Sequence, residues 1–202
     1  MQFARELSPV SLETIATMAE EAKGCIDYIY LHWSAGRHGQ VYDDYHISID
    51  WDGRIYLPYN CKDLTVYREH TWHRNSNAIG IALCAGYGAV ANDGWNSELG
   101  IEGASEVTAE QIEAMALVIA TICKHADVPL IKDRVMTHYE AACNDGYGVP
   151  YGTWVNGVYQ CDSDCRWDLW YLPDTNCDNK MKNGGEVLRG KANWYLMTNR
   201  NI

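Results

Sequence analysis

Residues 108–126 read TAEQIEAMALVIATICKHA, and they constrain the fold more than any other stretch of the chain. Thr108 and Gln111 stand at capping-box spacing, where each side chain satisfies a backbone N–H at a helix start. Ile112, Met115, Ala116, Ile119, Ile122 and Cys123 then form one apolar stripe. A helix with one apolar side must lay it on a partner layer. The partners are short apolar runs: CIDYIYLHW (25–33), AIGIALCAG (78–86) and DRVMTH (133–138). YHISIDWDGRIYLPY (45–59) reads as a hairpin turning at Asp52-Gly53. A second helix is expected from Ser8 as N-cap and Pro9 at the first helical position, with Leu12, Ile15, Met18 and Ala19 in helical spacing up to about Ala22. Helices interleaved with strands predict an α/β domain: a central mixed β-sheet flanked by helices. Beyond Gly146 the sequence reads as irregular and rich in Gly, Tyr and Trp.

Composition excludes several partners. With 202 residues the chain suits one domain, and 47% hydrophobic against 21% charged residues places it among folded proteins. A formal net charge of −11 argues against nucleic acid, which needs a basic footprint, and against an anionic membrane surface. No apolar run approaches the roughly 20 residues of a transmembrane helix. The N-terminus lacks the basic start, apolar run and small-residue cleavage site of a secretory signal. The chain is therefore expected to be made in the cytoplasm. Of its cysteines, Cys25, Cys84 and Cys123 sit in apolar runs and read as small buried hydrophobes. Cys161, Cys165 and Cys177 are compatible with a disulfide or a zinc clip, although structural zinc sites want two close pairs.

Two of the seven histidines stand apart. His32 and His138 each end an apolar strand, where α/β folds place their sites, whereas a lone histidine is more often structural. A hydrolytic zinc site takes about three protein ligands and leaves one position open. QCDSDCRWDLW (160–170) offers the third from Cys161, Asp162, Asp164 or Cys165.

Taken in order, YLHWSAG, DDYHISIDWDGRIYLPY, WHRNSNAIGIALCAG, TAEQIEAMALVIATI, VMTHYEAA and DSDCRWDLW resemble the type 2 N-acetylmuramoyl-L-alanine amidases, relatives of the peptidoglycan recognition proteins, over about residues 25–172. The resemblance implies an α/β fold with a zinc cleft at strand ends. It implies hydrolysis of the amide between N-acetylmuramic acid and L-alanine, with peptidoglycan (a muramyl peptide) as substrate and Zn2+ as cofactor. By position, His32 and His138 are the first two ligands. Asp162 is the preferred third and Asp164 the alternative, each set by its spacing from Trp167-Asp168. Tyr45 matches a tyrosine that orients the attacking water or bonds the oxyanion. Glu140 matches an acidic position that holds a ligand histidine by its far nitrogen or braces the loop. Many relatives carry a lysine two residues before the third ligand. Gln160 or Asp162 stands there for the two candidates, leaving Arg166 or His73 to replace it. Where some relatives have a catalytic glutamate, this chain has Ala82. Trp33, Trp72, Tyr87 and Trp154 are candidates for a sugar-peptide groove.

The division expected is a catalytic domain over 1–175 and a short C-terminal extension over 176–202 packed on it. The resemblance suits a monomeric phage or prophage endolysin, antimicrobial in effect, that reaches the wall through a holin. A recycling amidase that stays inside is the alternative setting. The competing function is a peptidoglycan-binding module of the same fold with an incomplete site. A redox or staple role for the Cys161, Cys165, Cys177 group is a third possibility.

Overall fold

The structure, a computed structural model, describes residues 1–88, 105–144, 153–155, 158–160 and 168–200. A short strand β1 (Gln2–Phe3) leads through a 3-10 turn to helix α1 (Leu12–Glu21). Strands β2 (Tyr28–Trp33), β3 (Gln40–Val41), β4 (Ile47–Ile49), β5 (Ile55–Tyr56) and β6 (Ala78–Leu83) follow. Next come α2 (Ala109–His125), β7 (Val135–Thr137) and α3 (His138–Asn144). The hairpins β8 (Thr153–Val155) with β9 (Val158–Gln160), and β10 (Tyr171–Asp174) with β11 (Lys180–Asn183), precede α4 (Gly184–Thr198).

The central sheet has the order β5-β4-β6-β2-β7. Only the β4–β5 pair is antiparallel; β4, β6, β2 and β7 run parallel. This is the expected mixed sheet, and period-two alternation gives it two unlike faces. Ile29, Leu31, Trp33, Ile47, Ile49, Ile79, Ile81, Leu83 and Val135 point into one large core with Ile15, Ile112, Met115, Ile119, Val187 and Leu188. Helices α1, α2 and α4 therefore share that face. The other face carries Tyr30, Ala78 and Met136, packed with Ala141 of α3.

The capping box forms as expected: Thr108 Oγ1 accepts from Gln111 N at 3.1 Å, and Gln111 Oε1 accepts from Thr108 N at 3.1 Å. The Thr108 hydroxyl also donates to Trp51 O at 2.7 Å, tying the helix start to the hairpin turn. Thr108→Ala is expected to cost about 1–2 kcal/mol, seen as a lower urea midpoint with an unchanged slope.

Several expectations are corrected. Helix α1 starts at Leu12, with Ser11 and not Ser8 as N-cap, because Val10 is held extended by its N–H bond to Ile55 O at 2.8 Å. Cys25 is exposed, since it lies in the turn before β2 and only Ile26 enters the core from there. Cys84 and Cys123 are buried as expected. The stretch beyond Gly146, read as irregular, contains the 15-residue α4. Cys177 is unpaired in the β10–β11 turn, whereas Cys161 and Cys165 lie outside the described residues. No helix among the described residues is long and apolar enough to cross a membrane.

Candidate metal centre

β6 shows how the sequence makes room for a site. Its large residues, Ile79, Ile81 and Leu83, face the helices, while Ala78, Gly80 and Ala82 face the other way. Ala82 is the register partner of His32 on β2, so a small side chain flanks the imidazole. His138 follows β7 directly and opens α3. Their rings lie edge to face, with centroids 4.7 Å apart.

Between them sits Asp168. Its Oδ2 is 3.0 Å from His32 Nδ1 and its Oδ1 is 3.4 Å from His138 Nδ1. All three residues are buried, and their ligand atoms lie within 4.8 Å of one another. A tetrahedral zinc ion with bonds near 2.1 Å sets its ligands roughly 3.4 Å apart, so the donor types and the two short separations both fit. Burial alone would raise the Asp168 pKa. The adjoining His138 and His32 rings outweigh it and hold the carboxyl well below the usual carboxylate range. An ionised, buried carboxylate between two imidazole nitrogens is a hard-anion, borderline-nitrogen set that suits zinc.

A family model described as N-acetylmuramoyl-L-alanine amidase (Amidase_2) matches residues 13–150. The chain belongs to the N-acetylmuramoyl-L-alanine amidase family. The matched span includes both histidines and stops before Asp168. Among solved structures, the endolysine N-acetylmuramoyl-L-alanine amidase LysCS from Clostridium intestinale URNW is similar at 16% identity and a TM-score of 0.39, over 68% of this chain and 76% of that one. No curated protein matches the chain.

Within this amidase-family domain, the expected site residues fall in different places. Tyr45 lies beside the centre, its ring 5.2 Å from that of His32 and its hydroxyl donating to Trp33 O at 3.5 Å. Asp162, Asp164 and Arg166 lie outside the described residues. In the sequence Asp168 reads only as half of the aromatic–acid pair that sets the spacing, and the fold brings it to both histidines. Trp33 is buried in the helix-side core, because an odd-numbered residue of β2 points away from His32; it is not a groove wall. Trp72 is 53% exposed, with His73 edge-on to it at 4.6 Å. Tyr87 is exposed beneath the Arg37 guanidinium. The Trp154 side chain lies outside the description.

Glu140 has a bracing geometry. Its Oε2 accepts from Thr137 N at 3.1 Å, and Thr137 Oγ1 accepts from Glu140 N at 3.2 Å, a capping box around His138. Arg189 of α4 grips the same carboxylate with two bonds of 2.7 and 2.8 Å and also donates to Val135 O. Gly185 is required here, since a Cβ would lie 2.2 Å from Glu140 Oε2. Tyr139 stacks on Trp170 with centroids 4.4 Å apart, linking the neighbours of His138 and Asp168.

Behind His32 are two further buried histidines. His46 is fully satisfied: its Nδ1 accepts from Gly80 N at 3.0 Å and its Nε2 donates to Val66 O at 2.7 Å. Burial lowers its pKa to about 4, so it remains neutral. His70 bonds Thr71 Oγ1 through Nδ1 at 2.9 Å, and Thr71 Oγ1 lies 3.2 Å from His32 Nε2. Burial, with His32, His46 and His138 as neighbours, lowers the His70 pKa well below the ordinary imidazole value. Neither His70 nor Thr71 carries a sequence signal: both sit in the polar, aperiodic run YREHTWHRN (67–75).

Proposed function

We propose that this chain is a zinc-dependent N-acetylmuramoyl-L-alanine amidase that hydrolyses the amide between N-acetylmuramic acid and L-alanine in peptidoglycan. The observation that carries this reading is the buried His32, His138 and Asp168 triad, three donors whose ligand atoms lie within 4.8 Å of one another. In this reading Asp168, and not Asp162 or Asp164, completes the ligand set. A zinc ion, when bound, supplies Lewis-acid chemistry, polarising the scissile carbonyl and making water a competent nucleophile near neutral pH. The Tyr45 ring lies beside His32, and in this reading its hydroxyl orients or deprotonates the attacking water or bonds the developing oxyanion. With Asp168 as third ligand, the residue two places earlier is Arg166, so the position that is lysine in many relatives keeps a cation. Glu140 acts at a distance by bracing the turn that presents His138.

A complete donor set favours the enzyme over a binding module that lacks one ligand. The family match supports peptidoglycan as the substrate; the setting we propose for it is a monomeric phage or prophage endolysin that reaches the wall through a holin. Mass spectrometry of purified peptidoglycan treated with the zinc-loaded chain should find free stem peptides beginning with L-alanine. His138→Ala should release none. Only intact muramyl-peptides from the zinc-loaded wild type would leave the binding module as the better reading.

A further inference from the structure

The chain His70 Nδ1, Thr71 Oγ1, His32 Nε2 has no part in the site described so far, and each link is within hydrogen-bond distance. The ring of His70 sits so deep in the sheet that a Cβ on Gly80 would lie 2.6 Å from its Cγ. Its Nε2 is buried and makes no well-formed hydrogen bond among the described residues, with only the Ala78 backbone beside the ring as an acceptor. A purely structural histidine avoids that, as His46 does with both nitrogens bonded. Without a well-formed bond at Nε2, His70 can carry its proton on either nitrogen.

We propose that Thr71 and His70 form a tautomer relay that switches when His32 becomes a metal ligand; this rests on the zinc reading above. Without metal, the Asp168 carboxylate can only accept, so His32 carries its proton on Nδ1. Its bare Nε2 then accepts from the Thr71 hydroxyl, whose oxygen accepts from His70 Nδ1–H. As a ligand through Nδ1, His32 must carry its proton on Nε2. Thr71 Oγ1 now accepts from His32 and donates to His70 Nδ1, and His70 carries its proton on Nε2. One proton leaves at His32 Nδ1 and one enters at His70 Nε2, so the number of protons held by the two rings is the same before and after. Thr71 and His70 are thus positioning residues that lock the orientation and tautomer of the first ligand.

The test uses the full chain labelled with 15N at histidine, with two-bond proton–nitrogen spectra recorded before and after one equivalent of Zn2+. His70, not itself a ligand, should change from the Nδ1–H to the Nε2–H pattern together with His32. Thr71→Val should abolish the His70 response and weaken zinc binding in chelator competition by about 10–100-fold, and Thr71→Ser should restore both. An unchanged His70 pattern while His32 and His138 respond overturns the relay and leaves the zinc reading standing. If neither His32 nor His138 responds to zinc, the zinc reading falls and the relay with it. The wild-type spectra decide the matter even if Thr71→Val does not fold.

Discussion

Asp168→Asn is expected to remove zinc from the purified chain and to end amidase activity while preserving the fold. Asparagine keeps the shape of the side chain but loses the anion that faces both imidazoles at 3.0 and 3.4 Å. Loss of a direct ligand exceeds the 10–100-fold effect of losing an outer partner, so affinity should fall on the order of a hundredfold or more. Metal analysis after dialysis and chelator competition measure it. Asp162→Ala and Asp164→Ala should keep about one zinc per chain. If Asp162→Ala lost the metal and Asp168→Asn kept it, the third ligand would be Asp162. The metal-free proteins give a second readout. The folded-state pKa of Asp168 is depressed, so its contribution is fully present above the ordinary value of about 3.9 and is lost as pH falls through the folded-state value. Wild type should therefore be more stable than Asp168→Asn at pH 7, with the gap closing only in strong acid. Zinc itself should leave at milder acidity, because protons compete for the histidine nitrogens.

Arg189→Met should be the most destabilising single change outside the central core. Arg189 and Glu140 are 13% and 3% exposed, and the substitution leaves a buried carboxylate facing an apolar chain. Breaking such a pair on one side costs about 3–5 kcal/mol. Urea denaturation measures the loss. Arg189→Met combined with Glu140→Gln should recover part of it, since no uncompensated charge remains. A loss under about 1 kcal/mol, the size of an exposed pair, would show that Glu140 is solvated after all. Because Glu140 also holds Thr137 N, directly before His138, the single variant should bind zinc more weakly too.

Much of this architecture is legible in the sequence because local signals agree with the final packing. The α2 stripe and cap, the Asp52-Gly53 turn and the two strand-end histidines are all of this kind. The elements that escape are those whose local signal conflicts with composition. Helix α3 hides in small residues, although Thr137 and Glu140 carry capping-box spacing. Helix α4 hides behind Gly184-Gly185, although Asn183 caps it by accepting from Glu186 N. Those glycines are required by close approach, since a Cβ on Gly184 would lie 2.2 Å from Leu169 O. Choosing among Asp162, Asp164 and Asp168 is beyond spacing alone, because the path of the intervening backbone decides which carboxyl arrives. His70 and Thr71 depend on a vacancy at Gly80, which no local pattern around them announces.

The three donors also matter for the topology of the chain. His32 and Asp168 are 136 residues apart in sequence, yet their side chains touch. An ion gripping both would act as a non-covalent cross-link, fastening a central strand of the sheet to the last fifth of the chain. Such a fastening narrows the unfolded ensemble as a disulfide does. Hydrolytic competence and resistance to unravelling would then rise and fall with the same ion.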